Sequence, residues 1–297
     1  MSTISNASLL DEEALENNNS LKFFFGNKKN GLENIEKEFV LQSLGEYGLL
    51  HFKGFDTSLE SFSCFIEKIC SRVTNDPARK ASSKNAQKIV AGEVSMGLHL
   101  ENGNAPFIPD LQFFYCKKAP QISSRTTYCD GARIIYKLPH DIRQQLEDRQ
   151  IMYTRRIEKA MWKKYFSTEL GRTISSVHEI LPFLPDHVKI IPKDNGDIEW
   201  RVQKYVVYTD KLSKKKVHAH SILAPSVNYE IPVVTWSDGS QIDPRIISTI
   251  TRICEKETHP LDLEDGDVVV VNNHRVMHGR ENILDPSRQI YGGQGYL

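Results

Sequence analysis

His99-Leu100-Glu101, followed far downstream by His278 and then Arg288, brings together the residue types that a redox-active metal needs. Two imidazoles and one carboxylate can hold one face of an octahedral ferrous ion, leaving the other positions open for an organic co-substrate and dioxygen. Residues two apart in an extended strand point the same way, so His99 and Glu101 are expected to face a single ion. An arginine beyond the second histidine suits a co-substrate carboxylate, because the planar guanidinium binds carboxylates bidentately. Taken singly, these residues carry little. A His two places from a carboxylate arises by chance, His278 alone reads as a satisfied core histidine, and Arg288 reads as a surface charge.

The setting of His278 changes that balance. Asp265-Gly266-Asp267 reads as a turn, Val268 to Val271 as a buried strand, and Asn272-Asn273 as a break before Val276-Met277-His278-Gly279-Arg280. A ligand just beyond a buried strand can project into the mouth of a barrel, and Arg288 falls on the next expected strand, Arg288-Gln289-Ile290-Tyr291. Two rival sites are weaker. His218-Ala219-His220 has strand spacing but adjoins a lysine run with no carboxylate implicated, and His274 would share a face with His278 only in a helix.

The elements that must position these residues follow from periodicity. Ile35, Phe39, Val40 and Leu44 recur at helical spacing until Gly45 stops the pattern. Gly48 to Phe55 reads as a short strand, and Asp56 to Ser58 caps a second helix through Phe62, Phe65, Ile66 and Ile69. Strands are expected at Val94–Glu101, Asp110–Lys117 and Thr126–Cys129, and a charged helical stretch from Leu138 to Phe166. Strand-like pieces return at Val188–Ile191, Ile198–Tyr208 and Pro232–Trp236, with Lys211–Lys216 a solvated loop. Asp243-Pro244 opens a helix through Ile247, Ile250, Ile253 and Cys254. With no internal repeat or linker, residues 1–20 are expected to be a solvated lead-in and residues 21–297 one mainly β domain with helices packed outside.

Bulk properties narrow the function classes. The 297 residues carry 38 basic and 38 acidic side chains, so no net field favours nucleic acid or an anionic membrane. No apolar run approaches the ~20 residues that span a bilayer. The N-terminus lacks the basic-then-apolar order of a secretory signal, and five scattered cysteines without a CxxC pair fit reduced thiols, so a cytoplasmic location is expected. A small-molecule substrate is the expected partner.

On these motifs the chain resembles the taurine dioxygenase and clavaminate synthase-like family of iron(II), 2-oxoglutarate-dependent oxygenases. Glu46 to Phe55 is similar to the family's N-terminal strand, His99-Leu100-Glu101 to its proximal ligand motif, and Asp267 to Arg280 to its distal histidine motif. The resemblance implies an α+β chain built on a double-stranded β-helix, a jelly roll of the cupin kind. It also implies that His99, Glu101 and His278 bind iron(II), that Arg288 pairs with the distal carboxylate of 2-oxoglutarate, and that Thr126 hydrogen-bonds the same co-substrate, with Thr127 the competing register. The resemblance further implies O2 as the oxidant, with succinate and CO2 as co-products.

Most of the family carries Asp where this chain has Glu101. The branch acting on free amino acids also uses Glu, which tilts the expected substrate toward an amino acid or amino-acid-derived natural product, hydroxylated or desaturated. A carboxylate at this position also disfavours halogenation. Asn102, Asn104, Phe107 and Phe113 follow the first motif as candidate substrate contacts, with loop or core roles as the alternative. Arg280 is either a substrate contact or a salt bridge holding the motif. The competing functions are a catabolic dioxygenase of a small sulfonate and a non-catalytic β-helix binding protein.

Overall fold

The computed structural model describes residues 20–27, 31–89, 92–223 and 230–297, so the expected lead-in lies outside them except for Ser20. The chain opens with β1 (Leu21–Phe25), α1 (Lys37–Tyr47), β2 (Leu49–Lys53) and α2 (Leu59–Ile69). Helix α1 runs through Gly45, where periodicity predicted its end, and stops at Gly48. Gly48 has φ +88°, a left-handed conformation that glycine adopts without a Cβ penalty, which is why it terminates the helix. Ser58 caps α2 as expected, its hydroxyl accepting from the Ser61 amide.

Five strands follow: β3 (Arg72–Thr74), β4 (Gln87–Lys88), β5 (Met96–His99), β6 (Leu111–Lys118) and β7 (Thr126–Asp130). Next come α3 (Gly131–Lys137), α4 (His140–Asp148), β8 (Ile151–Ile157) and α5 (Lys159–Leu170). Strand β8 interrupts the stretch expected to be helical throughout. Its Ile151, Tyr153, Arg155 and Ile157 are buried at every second residue, the period of a strand with one face on a core. The remainder comprises β9 (Val188–Pro192), β10 (Ile198–Lys204), β11 (Val207–Thr209), β12 (Lys216–His218), β13 (Val233–Trp236), α6 (Pro244–Glu257), β14 (His259–Leu261), β15 (Val268–Asn272), β16 (Val276–Arg280) and β17 (Gln289–Tyr296).

Two sheets form the jelly roll. The larger has the order β1-β2-β15-β6-β17-β3, with β4 also on β17, and the smaller has the order β14-β7-β16-β5. Strand β15 shows why the larger sheet is buried on both faces. Val268 and Val270 join the core beneath α1 and α2, whereas Val269 and Val271 join Phe114, Cys116, Tyr128 and Val276 in a separate core cluster. A third apolar layer covers the smaller sheet with α3, α4 and α6, and a fourth packs α5 against β9 and β10. All five cysteines are free, and among the described residues no helix is long and apolar enough to cross a membrane.

One buried ion pair ties these layers together. Arg275, in the turn from β15 to β16, donates from Nη2 to Asp130 Oδ2 at 2.7 Å and from Nε to Oδ1 at 3.0 Å, and both side chains are almost fully buried. Its Nη1 donates to the Glu46 carbonyl at the end of α1, while Asp130 Oδ1 also accepts the Ala132 amide and so caps α3. Removing one member of such a pair leaves an uncompensated buried charge. Asp130→Asn is therefore expected to lower the unfolding free energy by about 3–5 kcal/mol in chemical denaturation; a loss below ~1 kcal/mol would show that the pair does not hold the layers.

Candidate metal centre

Strands β5 and β16 are antiparallel neighbours in which His278 lies opposite His99. Residues facing each other across an antiparallel pair put their side chains on the same side of the sheet. The two rings accordingly approach to 4.4 Å between centroids, tilted by 55°. His278 sits in the middle of β16 rather than beyond a strand. Strand β5 ends at His99, and Glu101 lies in the turn that follows, so the shared strand face expected for the two is replaced by a chain reversal. Asn102, at φ +54°, begins that reversal.

Asn273 holds the turn in place. Its Oδ1 accepts the Glu101 amide at 2.8 Å, and its Nδ2 donates to the carbonyls of Glu101 at 3.0 Å and Pro109 at 2.8 Å. The distal motif thus clamps the backbone of the proximal one. Glu101 Oε2 reaches 3.4 Å from His278 Nε2, and the ligand atoms of His99, Glu101 and His278 lie within 4.8 Å of one another.

The electrostatics fit a divalent ion. His99 Nδ1 donates to the Gly97 carbonyl at 2.9 Å, which fixes the tautomer and leaves Nε2 as a lone-pair donor. Burial, reinforced by the neighbouring His278, brings the His99 imidazole down to about 4, so it is neutral at physiological pH. Burial alone would push Glu101 up, but the His278 ring and the Arg79 guanidinium outweigh it and hold the carboxyl at about 2. His278 Nδ1 is buried without a hydrogen-bond partner among the described residues, and the Phe114 ring stands edge-on to the imidazole at 5.2 Å. A buried carboxylate and two buried imidazoles with converging donor atoms form a donor set that a transition-metal cation completes.

The same cavity, of about 40 Å3, is lined by Thr126, Arg280, Arg288 and Arg79. Thr126 pairs with Arg280 across β7 and β16, and Thr127, on the alternate face, does not line the cavity. Arg288 immediately precedes β17 instead of lying within it, and Nη1 donates to the Ser124 carbonyl at 3.1 Å. Burial and the charge of Arg280 bring its guanidinium down to about 10. Arg280 donates from Nη2 to the carbonyls of Val94 at 2.7 Å and Gly92 at 3.2 Å, so it fastens the segment leading into β5.

Other expected contacts fall elsewhere. Phe113 is fully buried in the core under α2, edge-on to Phe65, the core role that its sequence left open beside a pocket contact. Its neighbour Phe114 takes the cavity position, because alternate residues of β6 face opposite sides. Asn102 and Asn104 lie on the loop after Glu101 and do not line the metal cavity, and Phe107 packs on Phe166. His218 and His220 are buried and meet edge to face at 4.8 Å, and His274 pairs with Asp110 at 3.0 Å. Asn273 and Arg79 were not singled out from sequence. The polar pair ending the valine run was a signal for Asn273, but nothing local marks Arg79.

A model of the family described as "Taurine catabolism dioxygenase TauD, TfdA family" matches residues 23–294. The dapdiamide synthesis protein DdaC of Enterobacter agglomerans is 20% identical over 273 residues, covering 80% of this chain and 79% of that protein. A clavaminate synthase-like protein of Arabidopsis thaliana is 22% identical over 293 residues, covering 86% and 83%. Among solved structures, PvcB of Pseudomonas aeruginosa superposes with a TM-score of 0.64 at 12% identity, covering 97% of this chain and 90% of that one.

The clamp makes a specific prediction. Asn273→Ala is expected to weaken iron(II) or manganese(II) binding roughly 10–100-fold, as loss of a ligand-orienting partner does, while the protein stays folded by circular dichroism. Anaerobic metal titration reads this, and unchanged affinity would separate the clamp from the metal centre.

Proposed function

Since the chain belongs to the taurine catabolism dioxygenase TauD, TfdA family and is an iron(II)- and 2-oxoglutarate-dependent oxygenase, we propose that it hydroxylates or desaturates an amino acid or amino-acid-derived natural product. Succinate and CO2 are the co-products. The observation that carries this reading is the convergence of His99, Glu101 and His278 with Thr126 and Arg288 on one cavity.

In this reading His99, Glu101 and His278 would hold the iron, with the tautomer of His99 set by Gly97 and the backbone of Glu101 set by Asn273. Arg288 pairs with the distal carboxylate of 2-oxoglutarate and Thr126 hydrogen-bonds the same co-substrate, both from the end of the cavity bounded by β7 and β17. When bound, the metal supplies the oxidative decarboxylation of 2-oxoglutarate and the removal of a hydrogen from the substrate. Phe114, Ile89 and Ile290 line the cavity with apolar surface that limits water at the reacting atoms.

The choice of substrate class rests on two supports. Glu101 is the carboxylate of the amino-acid branch, and its presence occupies the position that halogenation requires to be open. Two of the three named relatives are described as acting in synthesis, one of dapdiamide and one, PvcB, in an isonitrile synthetic pathway. Both favour biosynthesis over sulfonate catabolism.

Anaerobic addition of iron(II) and 2-oxoglutarate is expected to produce a weak visible charge-transfer band, absent in His99→Ala. Arg288→Met should raise the concentration of 2-oxoglutarate needed for that band by ~30-fold or more, the cost of removing one member of a buried charge pair. Protein that binds iron yet shows neither the band nor succinate release in air would sink the proposal.

A further inference from the structure

Arg79 enters the metal cavity from the segment between β3 and β4. Its stem is braced. Asp76 Oδ2 lies 3.1 Å from Arg79 Nε, the Asp76 carbonyl accepts the Arg79 amide at 3.0 Å, and the Arg79 carbonyl accepts Gln87 Nε2 at 3.2 Å. Gln87 fixes Asp76 in turn, accepting its amide at 2.8 Å and donating to its carbonyl at 2.9 Å. An exposed arginine sweeping solvent has no such bracing. The guanidinium stands with Nη2 at 3.9 Å from Glu101 Oε1, close enough for electrostatic attraction and too far for a hydrogen bond. The two oxygens of Glu101 are therefore divided, Oε2 toward His278 and Oε1 toward Arg79.

The charges around the cavity are unequal. Three guanidiniums, those of Arg79, Arg280 and Arg288, line it together with the single carboxylate of Glu101, and Asp76 stands behind Arg79. Arg280 already serves the Gly92 and Val94 carbonyls, and Arg288 is placed for the co-substrate. With a ferrous ion and the dianion 2-oxoglutarate in place, the three guanidiniums, Glu101 and Asp76 leave one positive charge, and Arg79 is the guanidinium whose Nη2 stands beside the ligand Glu101, at 3.9 Å, without a hydrogen bond to it. We propose that Arg79 binds a carboxylate of the substrate, so that the molecule oxidised is an acid held by a bidentate fork beside the metal. This rests on the iron and 2-oxoglutarate reading above and adds what that reading lacks, the group by which the substrate is held.

A bidentate arginine discriminates strongly between an acid and its amide, because the amide cannot accept two parallel charged hydrogen bonds. The test uses anaerobic protein loaded with iron(II) and 2-oxoglutarate, whose visible band shifts when a ligand settles beside the metal. The probes are the L-amino acids, their carboxamides, and acetate. Acids are expected to shift the band and the matching amides are not. Arg79→Met, read at iron(II) and 2-oxoglutarate concentrations raised until its own unshifted band is complete, is expected to need ~30-fold or more of the same acid, with Arg79→Lys intermediate.

Several results would overturn the proposal: no carboxylate, acetate included, moves the band; amides act as well as acids; or Arg79→Met responds like the unsubstituted protein. Loss of the unshifted band in Arg79→Met would also overturn it, making Arg79 a brace for Glu101 instead. Absence of the band from the unsubstituted protein strikes the iron and 2-oxoglutarate reading itself, and the inference falls with it.

Discussion

The buried pair of Arg275 and Asp130 is the constraint from which the rest of the molecule is organised. It joins the end of β7, the start of α3, the last carbonyls of α1 and the turn that launches β16. Such a pair gives little net stability compared with an apolar contact, but its geometry admits few arrangements, so it specifies where the turn lies. The chain is shaped to permit it. A Cβ at Gly48 would lie 3.0 Å from Arg275 Nε, and one at Gly131 would lie 2.6 Å from the His218 carbonyl and 2.8 Å from that of Arg275. Glycine at both positions lets backbone and guanidinium approach.

From that anchor the metal site is built by short steps. Arg275 is two residues beyond Asn273 and three before His278, so one fixed turn places both the clamp on Glu101 and the second imidazole. Pairing of β16 with β5 and β7 then brings His99 and Thr126 alongside, each opposite a residue of β16. Two motifs whose clamp spans 172 residues of sequence become adjacent through strand register. Register is demanding here, since a slip of one residue would turn His278 away from His99.

Much of this was legible in the sequence because ligand chemistry and strand periodicity are local signals. The valine run of β15, the capped starts of α2 and α6 and the two histidine motifs are each written in a few consecutive residues. The misreadings arose where tertiary contacts overrode local pattern. Gly45 is tolerated inside α1 because the Leu212 backbone lies against it, and β8 appears within a charged stretch because β10 and β13 pair with it. Asn273 and Arg79 act through contacts with Glu101 over 172 residues and from a separate loop, so no window of sequence contains both partners.

The preference for Glu over Asp at the proximal ligand acquires a structural reason from the same geometry. Because β5 stops at His99, Glu101 starts from a turn whose backbone Asn273 pins by both its amide and its carbonyl. The main chain cannot move toward the imidazoles, so the side chain must cover the distance. An aspartate on this backbone would withdraw the carboxylate by one carbon–carbon bond, about 1.5 Å. It would then have to give up either the approach of Oε2 to His278 or that of Oε1 to Arg79. The longer arm thus follows from ending the strand at His99, two residues before the ligand it was expected to include, and it lets one carboxylate address the metal position and the Arg79 fork together.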